Sequence, residues 1–377
     1  IVSVVFSGPT FVESVKLRYF DTLITKQKET VNNIYTVNID DATIDRYGQW
    51  PFKRDQYANL IAQLYAHNAG LVVWDIMMPE TDRLGGDKAL AETLKDHPVI
   101  LANAPSQVSK NKAKKPGSAV IGAENIKTLQ NYPGVIANIP LLEDAAVGVG
   151  MINTLSYNNE VYPSLPLEVL RVMSGDSTFQ VKLNENGVEK MRIPSFRPIA
   201  TDSLGQIWVD WSQKANQVSA VNLPKDFKKA IVIVGTSAAG IGNPVATSLG
   251  SVWPQDMQAA VIGTLVNNVN IERPDWAPGA ELLTLILISL IILFLSRWVY
   301  VGLGVGVVLL VSIVPVSMYL FDTYKILFDA IVPVTGGVLV MLHAYGVKFI
   351  SEFLQKQQIK KQFGTYLSPA MVEKLQK

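Results

Sequence analysis

Four charged side chains and one tryptophan stand where they could do chemistry. Asp40 and Asp41 close the run Ile34-Tyr35-Thr36-Val37-Asn38-Ile39, and Asp75 closes Leu71-Val72-Val73-Trp74. Trp50 and Arg54 lie just after the first acids, in Gly48-Gln49-Trp50-Pro51-Phe52-Lys53-Arg54. Acids at the carboxyl ends of strands can line a crevice for a polar ligand or a cation. The structural alternative is that they cap helix N-termini and bond loop amides.

Other motifs fail on the residue that carries the chemistry. Gly235-Thr236-Ser237-Ala238-Ala239-Gly240-Ile241-Gly242 has Ile241 and Gly242 where a phosphate-binding loop needs Lys and Ser or Thr. A nucleophile elbow would need Gly where Ala239 stands. A tight strand-to-loop turn accounts for the segment. His67, His97 and His343 are scattered, so a histidine metal site is not expected, and the absence of cysteine excludes disulfides and thiolate ligands. A net charge of +1 gives no reason to expect a nucleic-acid partner. Lys110-Asn111-Lys112-Ala113-Lys114-Lys115 reads as a solvated mobile loop, with contact to anionic lipid as the alternative.

Alternating strands and helices must position these residues. Residues 34–40, 71–75, 99–102 and 230–235 read as strands, the apolar runs among them suiting parallel strands covered on both faces. Tyr57, Leu60, Ile61, Leu64 and Tyr65 recur at helical spacing over 55–67, and Gly70 ends that helix. Residues 87–95 and 254–268 are the next helices, the latter with Met257, Val261, Leu265 and Val266 on its apolar positions. This order predicts an α/β domain with a mainly parallel sheet.

From about residue 279 the composition changes. Apolar stretches over 279–296, 299–320 and 326–347 follow one another, and about 20 apolar residues cross a bilayer. An all-α transmembrane bundle over 279–347 is therefore expected. Arg297 follows the first stretch, Lys348, Lys356, Lys360 and Lys361 follow the third, and Asp322 and Lys325 cancel between. Positive residues favour the cytoplasmic side, which puts the tail inside and residues up to 278 outside. Residues 1–10, opening Ile1-Val2-Ser3-Val4-Val5-Phe6, read as the end of a further membrane helix, and the whole reads as part of a longer protein. Gly302 and Gly306, four apart, would let helices approach closely, within one protomer or between two. Pro315 and Pro333 would kink their helices. A stalk helix is expected over 348–362, with Phe349, Ile350, Phe353 and Leu354 as a short apolar edge.

Asn38 to Thr43, Gly48 to Tyr57 and Gly70 to Pro79 together resemble the CHASE sensor family of the second class. That pattern is an acidic pair after the first strand, a Gly-x-Trp-Pro-aromatic-x-Arg loop, and a strand ending in Asp with Pro shortly after. Val15 to Asp21, Val161 to Glu168 and Val234 to Asn268 fit it too. The resemblance implies an extracytoplasmic sensor over 11–278. The segment Thr154 to Glu160 departs from it, lacking the usual Asp-Gly turn and basic pair.

Phe363-Gly364-Thr365-Tyr366-Leu367-Ser368-Pro369 resembles the entry segment of class III nucleotide cyclases. It implies a receptor-type adenylate cyclase in the bacterial inner membrane, with residues 363–377 opening the catalytic domain. Phe363, Gly364, Tyr366 and Pro369 would form the hinge. The rest is implied by the family: a homodimer, ATP as substrate, two Mg or Mn ions in the missing domain, and an unidentified extracytoplasmic ligand. No catalytic residue falls in this chain. A sensor histidine or serine/threonine kinase and a non-enzymatic membrane scaffold stay open, although residues 348–377 contain no His for the histidine-kinase version.

Overall fold

The computed structural model describes residues 10–25 and 30–364. The expected N-terminal membrane segment lies outside the described residues, apart from Thr10. Two compact units divide the chain, one of residues 24–272 and one of residues 1–23 with 273–377.

After helix α1 (Thr10–Thr25), the α/β unit runs β1 (Thr30–Ile39), α2 (Asp41–Tyr47), α3 (Arg54–Ala66), β2 (Leu71–Trp74), α4 (Asp87–Asp96), β3 (Val99–Ser106) and β4 (Ser118–Ile121). There follow β5 (Gly134–Ile136), α5 (Pro140–Ala145), β6 (Gly148–Met151), β7 (Leu155–Tyr157), β8 (Glu160–Tyr162), α6 (Leu165–Met173), β9 (Phe179–Asn184) and β10 (Gly187–Arg192). It closes with β11 (Pro198–Ile199), β12 (Gln213–Ser219), β13 (Ile231–Thr236), β14 (Val245–Thr247), β15 (Gly250–Val252) and α7 (Pro254–Val266).

The main sheet has the order β12-β1-β13-β2-β3, all parallel. β3 continues the sheet with parallel β6 along Ile100–Asn103 and antiparallel β5 along Ala104–Ser106. Both faces are covered, which is why the strands are continuously apolar. On one face Val72, Trp74, Val99, Leu101, Val232 and Val234 share a core with Tyr57, Leu60, Ile61 and Leu64 of α3. Leu90 and Leu94 of α4 and Leu142 of α5 complete that core. On the opposite face Leu71, Val73, Ile100, Ala102, Ile231 and Ile233 meet Leu165 and Val169 of α6 and Ala259 and Ile262 of α7.

The α7 stripe that meets the sheet differs from the expected one. Gln255, Ala259 and Ile262 are buried, whereas Val266 is exposed. The small Ala259, Ala260 and Gly263 let the helix lie close to the sheet, and Gln255 donates to Asn38 Oδ1 at 2.7 Å. Val261 and Leu265 turn instead to a second core.

That core belongs to a second sheet, β11-β10-β9-β4, which the strand pattern of the sequence does not announce. Phe179, Val181 and Leu183 alternate inward from β9 and pack with Val188, Met191 and Leu170. The departing segment at Thr154 to Glu160 is the β7–β8 hairpin, turned by Asn158 and Asn159 at φ 50° and 59°. Two consecutive positive φ values are what a two-residue type I′ turn needs, and Asn tolerates them.

The other unit contains α8 (Ala277–Leu295), α9 (Val299–Tyr324) and α10 (Ile331–Gly364). Each has a stretch long and apolar enough to cross a membrane, of 19, 26 and 29 residues. Ile288 and Ile292 of α8 pack with Leu310 and Ile313 of α9, and with Val334, Val338 and Met341 of α10. Lys348 Nζ donates to the carbonyls of Ser296 and Arg297, both at 3.1 Å, so these basic residues share one end of the bundle. α10 starts at Ile331 rather than 326, because Asp329 Oδ1 accepts from the Ile331 amide at 2.7 Å and fixes the first turn there. Pro333 therefore falls in the first turn, where its missing N–H breaks no helical bond and gives no reason for a kink. Pro315 is inside α9.

Candidate functional site

Each candidate residue sits at or beyond the carboxyl end of a main-sheet strand. Asp40 follows β1 and caps α2. Its Oδ1 accepts from Thr43 N at 2.9 Å, Thr43 Oγ1 at 2.7 Å and Ser219 Oγ at 3.0 Å. Burial works to raise this carboxyl, but those hydrogen bonds outweigh it and hold it below the ordinary carboxylate range. Asp41 accepts from Ala239 N at 2.9 Å and so ties α2 to the glycine-containing loop after β13. That loop turns back on β1, with the Ser237 and Ala238 amides donating to Ile39 O. Gly235, in β13 just before that loop, leaves room for α7: a Cβ would meet Gln255 Cβ at 2.8 Å.

Trp50 belongs to an aromatic cluster over α3 and β2. Its ring lies 5.2 Å from Phe52 and 6.0 Å from Tyr57, and Tyr57 lies 5.2 Å from Trp74. Arg54 opens α3. Its amide donates to Asp82 Oδ2 at 2.8 Å, its Nε lies 3.6 Å from Asp87 Oδ1, and its guanidinium is 5.3 Å above the Tyr57 ring. Its Nε is buried with no hydrogen-bond partner among the described residues. Among the same residues, no hydrogen bond or ion pair joins Asp40, Arg54 and Asp75 to one another. A surface cleft of about 370 Å³ on α3 is lined by Gln56, Asn59 and Gln63, and by none of the five candidates.

Asp75 keeps an unused acceptor. Its amide continues the ladder to Val234 O at 2.9 Å, but its Oδ2 is buried without a partner among the described residues. Burial pushes its carboxyl up to about 7. Ionising it therefore destabilises the fold. The penalty is absent below about pH 4, grows as pH rises and is complete above about 7. Asp75→Asn should match the parent's thermal midpoint at pH 4 and exceed it at pH 8. Equal midpoints at both pH values would dismiss this account.

Sequence reasoning misses the polar network under the neighbouring loop. Asn103, Asn138 and Glu143 are at most 1% exposed. Asn103 Nδ2 donates to Glu143 Oε1 at 2.6 Å, Asn138 Nδ2 donates to Asn103 Oδ1 at 2.7 Å, and Met78 N donates to Asn138 Oδ1 at 2.6 Å. Lys114 N donates to Glu143 Oε2 at 2.6 Å. The four lysines of the run are exposed, as expected, and several of its groups are bonded to remote acids. Lys110 pairs with Glu80, Lys115 pairs with Glu160 at 2.9 Å, and Lys114 Nζ donates to Glu143 O at 3.1 Å.

Residues 1–294 match the CHASE2 domain. The chain belongs to the CHASE2 family. CHASE2 is a sensor domain of signalling proteins, and with three helices fit to span a membrane it makes this a membrane signalling protein of the receptor type. No curated protein and no solved structure matches the chain. The strand-end acids and the Trp50–Arg54 loop are thus parts of a CHASE2 sensor, held mainly by bonds within it. Of the four residues expected to form a hinge, Phe363 and Gly364 continue α10, whereas Tyr366 and Pro369 lie outside the described residues.

Proposed function

We propose that this CHASE2 chain is the sensing, membrane and transmitting portion of a receptor-type adenylate cyclase of the bacterial inner membrane. The observation that carries this reading is the continuity of α10. It runs 34 residues without a break, from a membrane span to Gly364, inside the cyclase-like segment Phe363-Gly364-Thr365-Tyr366-Leu367-Ser368-Pro369. A single helix transmits rotation or displacement along its axis, as a hinge at Phe363–Pro369 would require. The α/β unit lies outside the cytoplasm and the positive end of the bundle, with Arg297 and Lys348, lies inside.

In this reading residues 363–377 open a catalytic domain that converts ATP to cyclic AMP and pyrophosphate with two Mg or Mn ions and works as a homodimer. Exposed Phe349, Ile350, Phe353 and Leu354 on α10 support the homodimer, since they leave an apolar edge for a second copy. In the sensor, Asp75 Oδ2 and Arg54 Nε, both buried without a hydrogen-bond partner among the described residues, are the proposed ligand-facing atoms, while Asp40, Asp41 and Trp50 hold the walls. The test is turnover by the purified full-length protein, with ATP or GTP and Mg²⁺ or Mn²⁺. Cyclic AMP from a dimer is expected. No cyclic product from folded, dimeric protein would overturn the cyclase.

A further inference from the structure

A buried polar cluster occupies the end of the helix bundle remote from Lys348. Arg273, just before α8, donates from its two Nη atoms to the two carboxylate oxygens of Glu281, each at 2.8 Å. Glu281 Oε1 also accepts from Asp329 N at 2.7 Å. Asp329 caps α10, its Oδ1 accepting from Ile331 N at 2.7 Å and Val332 N at 3.4 Å. Its Oδ2 is buried and has no partner among the described residues. Asp329 is 1% exposed and Glu281 5%. Phe20 of α1 covers the Arg273 guanidinium at 5.3 Å. Ser317 of α9 donates to Phe328 O at 2.6 Å, and the buried Tyr19 hydroxyl of α1 lies beside Ser317.

The charges do not balance. Two buried carboxylates share one guanidinium, whose two Nη atoms are turned to Glu281, with Nη1 also donating to Leu327 O at 3.4 Å. A buried carboxylate without a counter-charge neutralises by taking a proton. A hard metal cation would need about six oxygens, and the buried side-chain oxygens left open in this cluster, among the described residues, are Asp329 Oδ2 and the Tyr19 hydroxyl. We propose that Asp329 is a proton-binding site, and that a proton on Oδ2 completes the cluster that fixes the first turn of α10.

The facing groups set the sign. Burial raises the Asp329 carboxyl and the Glu281 charge adds to this, while the Ile331 and Val332 amides and Arg273 work against it. Tyr19 from α1 and Ser317 from α9 bring no charge at neutral pH. The carboxyl ends above its ordinary range, so this arrangement is favoured when Asp329 is protonated. It is penalised increasingly as pH rises from the ordinary carboxylate range through the raised value. Because α10 is the helix that reaches Gly364, the proton would bias the transmitting element itself. The site does not depend on the cyclase reading.

The test is infrared spectroscopy of the full-length protein in lipid, reading the carbonyl band of a protonated carboxyl. That band should persist near neutral pH in Asp75→Asn, whose own raised carboxyl is removed, and adding Asp329→Asn to that variant should clearly weaken it. Asn keeps the capping oxygen, so Asp329→Asn should fold and should be at least as stable as the parent at pH 8. A band unchanged by Asp329→Asn overturns the proposal. So does a band that appears only when choline replaces sodium, which would give the site to a metal cation. A thermal midpoint of Asp329→Asn below the parent's at pH 8 would also overturn it.

Discussion

Asn138→Ala should lower the thermal midpoint of the α/β unit by on the order of 10 °C. The side chain makes three buried bonds: it accepts from Met78 N and donates to Ala102 O and Asn103 Oδ1. Alanine removes all three, stranding the Met78 amide and leaving the Asn103 carbonyl oxygen with one donor fewer. A buried group left unsatisfied costs about 1–3 kcal/mol, so the change should cost roughly 3–5 kcal/mol. In a domain of this size each kcal/mol moves the midpoint by about 2–4 °C. Asn138→Asp should be worse, because it loses both donated bonds and places a second carboxyl beside Glu143, which burial already raises against its hydrogen bonds. Lys112→Ala, at an exposed position of the same region, should stay within about 0.5 kcal/mol of the parent. Thermal unfolding of the three variants checks the order. An Asn138→Ala midpoint equal to that of Lys112→Ala would show that the network is not holding the sheet end.

These residues also mark where sequence reading stops. Strands β2 and β13 are legible because helices cover both their faces, which forces runs such as Leu71-Val72-Val73-Trp74 and Ile231-Val232-Ile233-Val234. Helix α3 is legible from its apolar period. The network is not, because Asn103 lies within β3, Asn138 in the loop before α5 and Glu143 within α5, and only the fold brings them together. Their one local signal is that Asn103 directly follows the buried run Val99-Ile100-Leu101-Ala102. The second sheet escapes notice because β9 alternates apolar with polar residues rather than forming a continuous apolar run, and Ser118 pairs with Phe179, far along the chain. The bonds of the exposed lysine run are hidden for the same reason, its partners Glu80, Glu143 and Glu160 being remote in sequence. In the candidate site, position alone picks out Asp40, Asp75 and Arg54. That Asp40 is committed to a cap, while Asp75 is not, takes the structure to see.

Gly302→Ala should destabilise the helix bundle, whereas Gly304→Ala, two residues away, should not. A Cβ at Gly302 would lie 2.8 Å from the Leu295 carbonyl carbon, and would overlap the Leu295 oxygen and the Tyr345 hydroxyl. The Leu295 atoms are backbone and cannot swing aside, so α8 and α9 must separate. At Gly306 a Cβ would meet Met341 Sδ at 3.2 Å and Ile292 Cγ1 at 3.4 Å, where a flexible methionine can give. At Gly304 it would meet nothing within 4 Å. Helices in lipid gain from close backbone approach rather than from leaving water, so losing that approach is felt directly. Overpacking costs about 1–3 kcal/mol. Gly304→Ala instead gains up to about 1 kcal/mol of helix propensity. Unfolding midpoints in lipid–detergent micelles should therefore rank Gly302→Ala lowest, then Gly306→Ala, then Gly304→Ala. Gly302 and Gly306 thus pack within one chain, against α8 and α10. If Gly302→Ala kept its midpoint but lost dimerisation, the pair would instead serve a contact between copies, and the crowding at Leu295 would not be what selects glycine here.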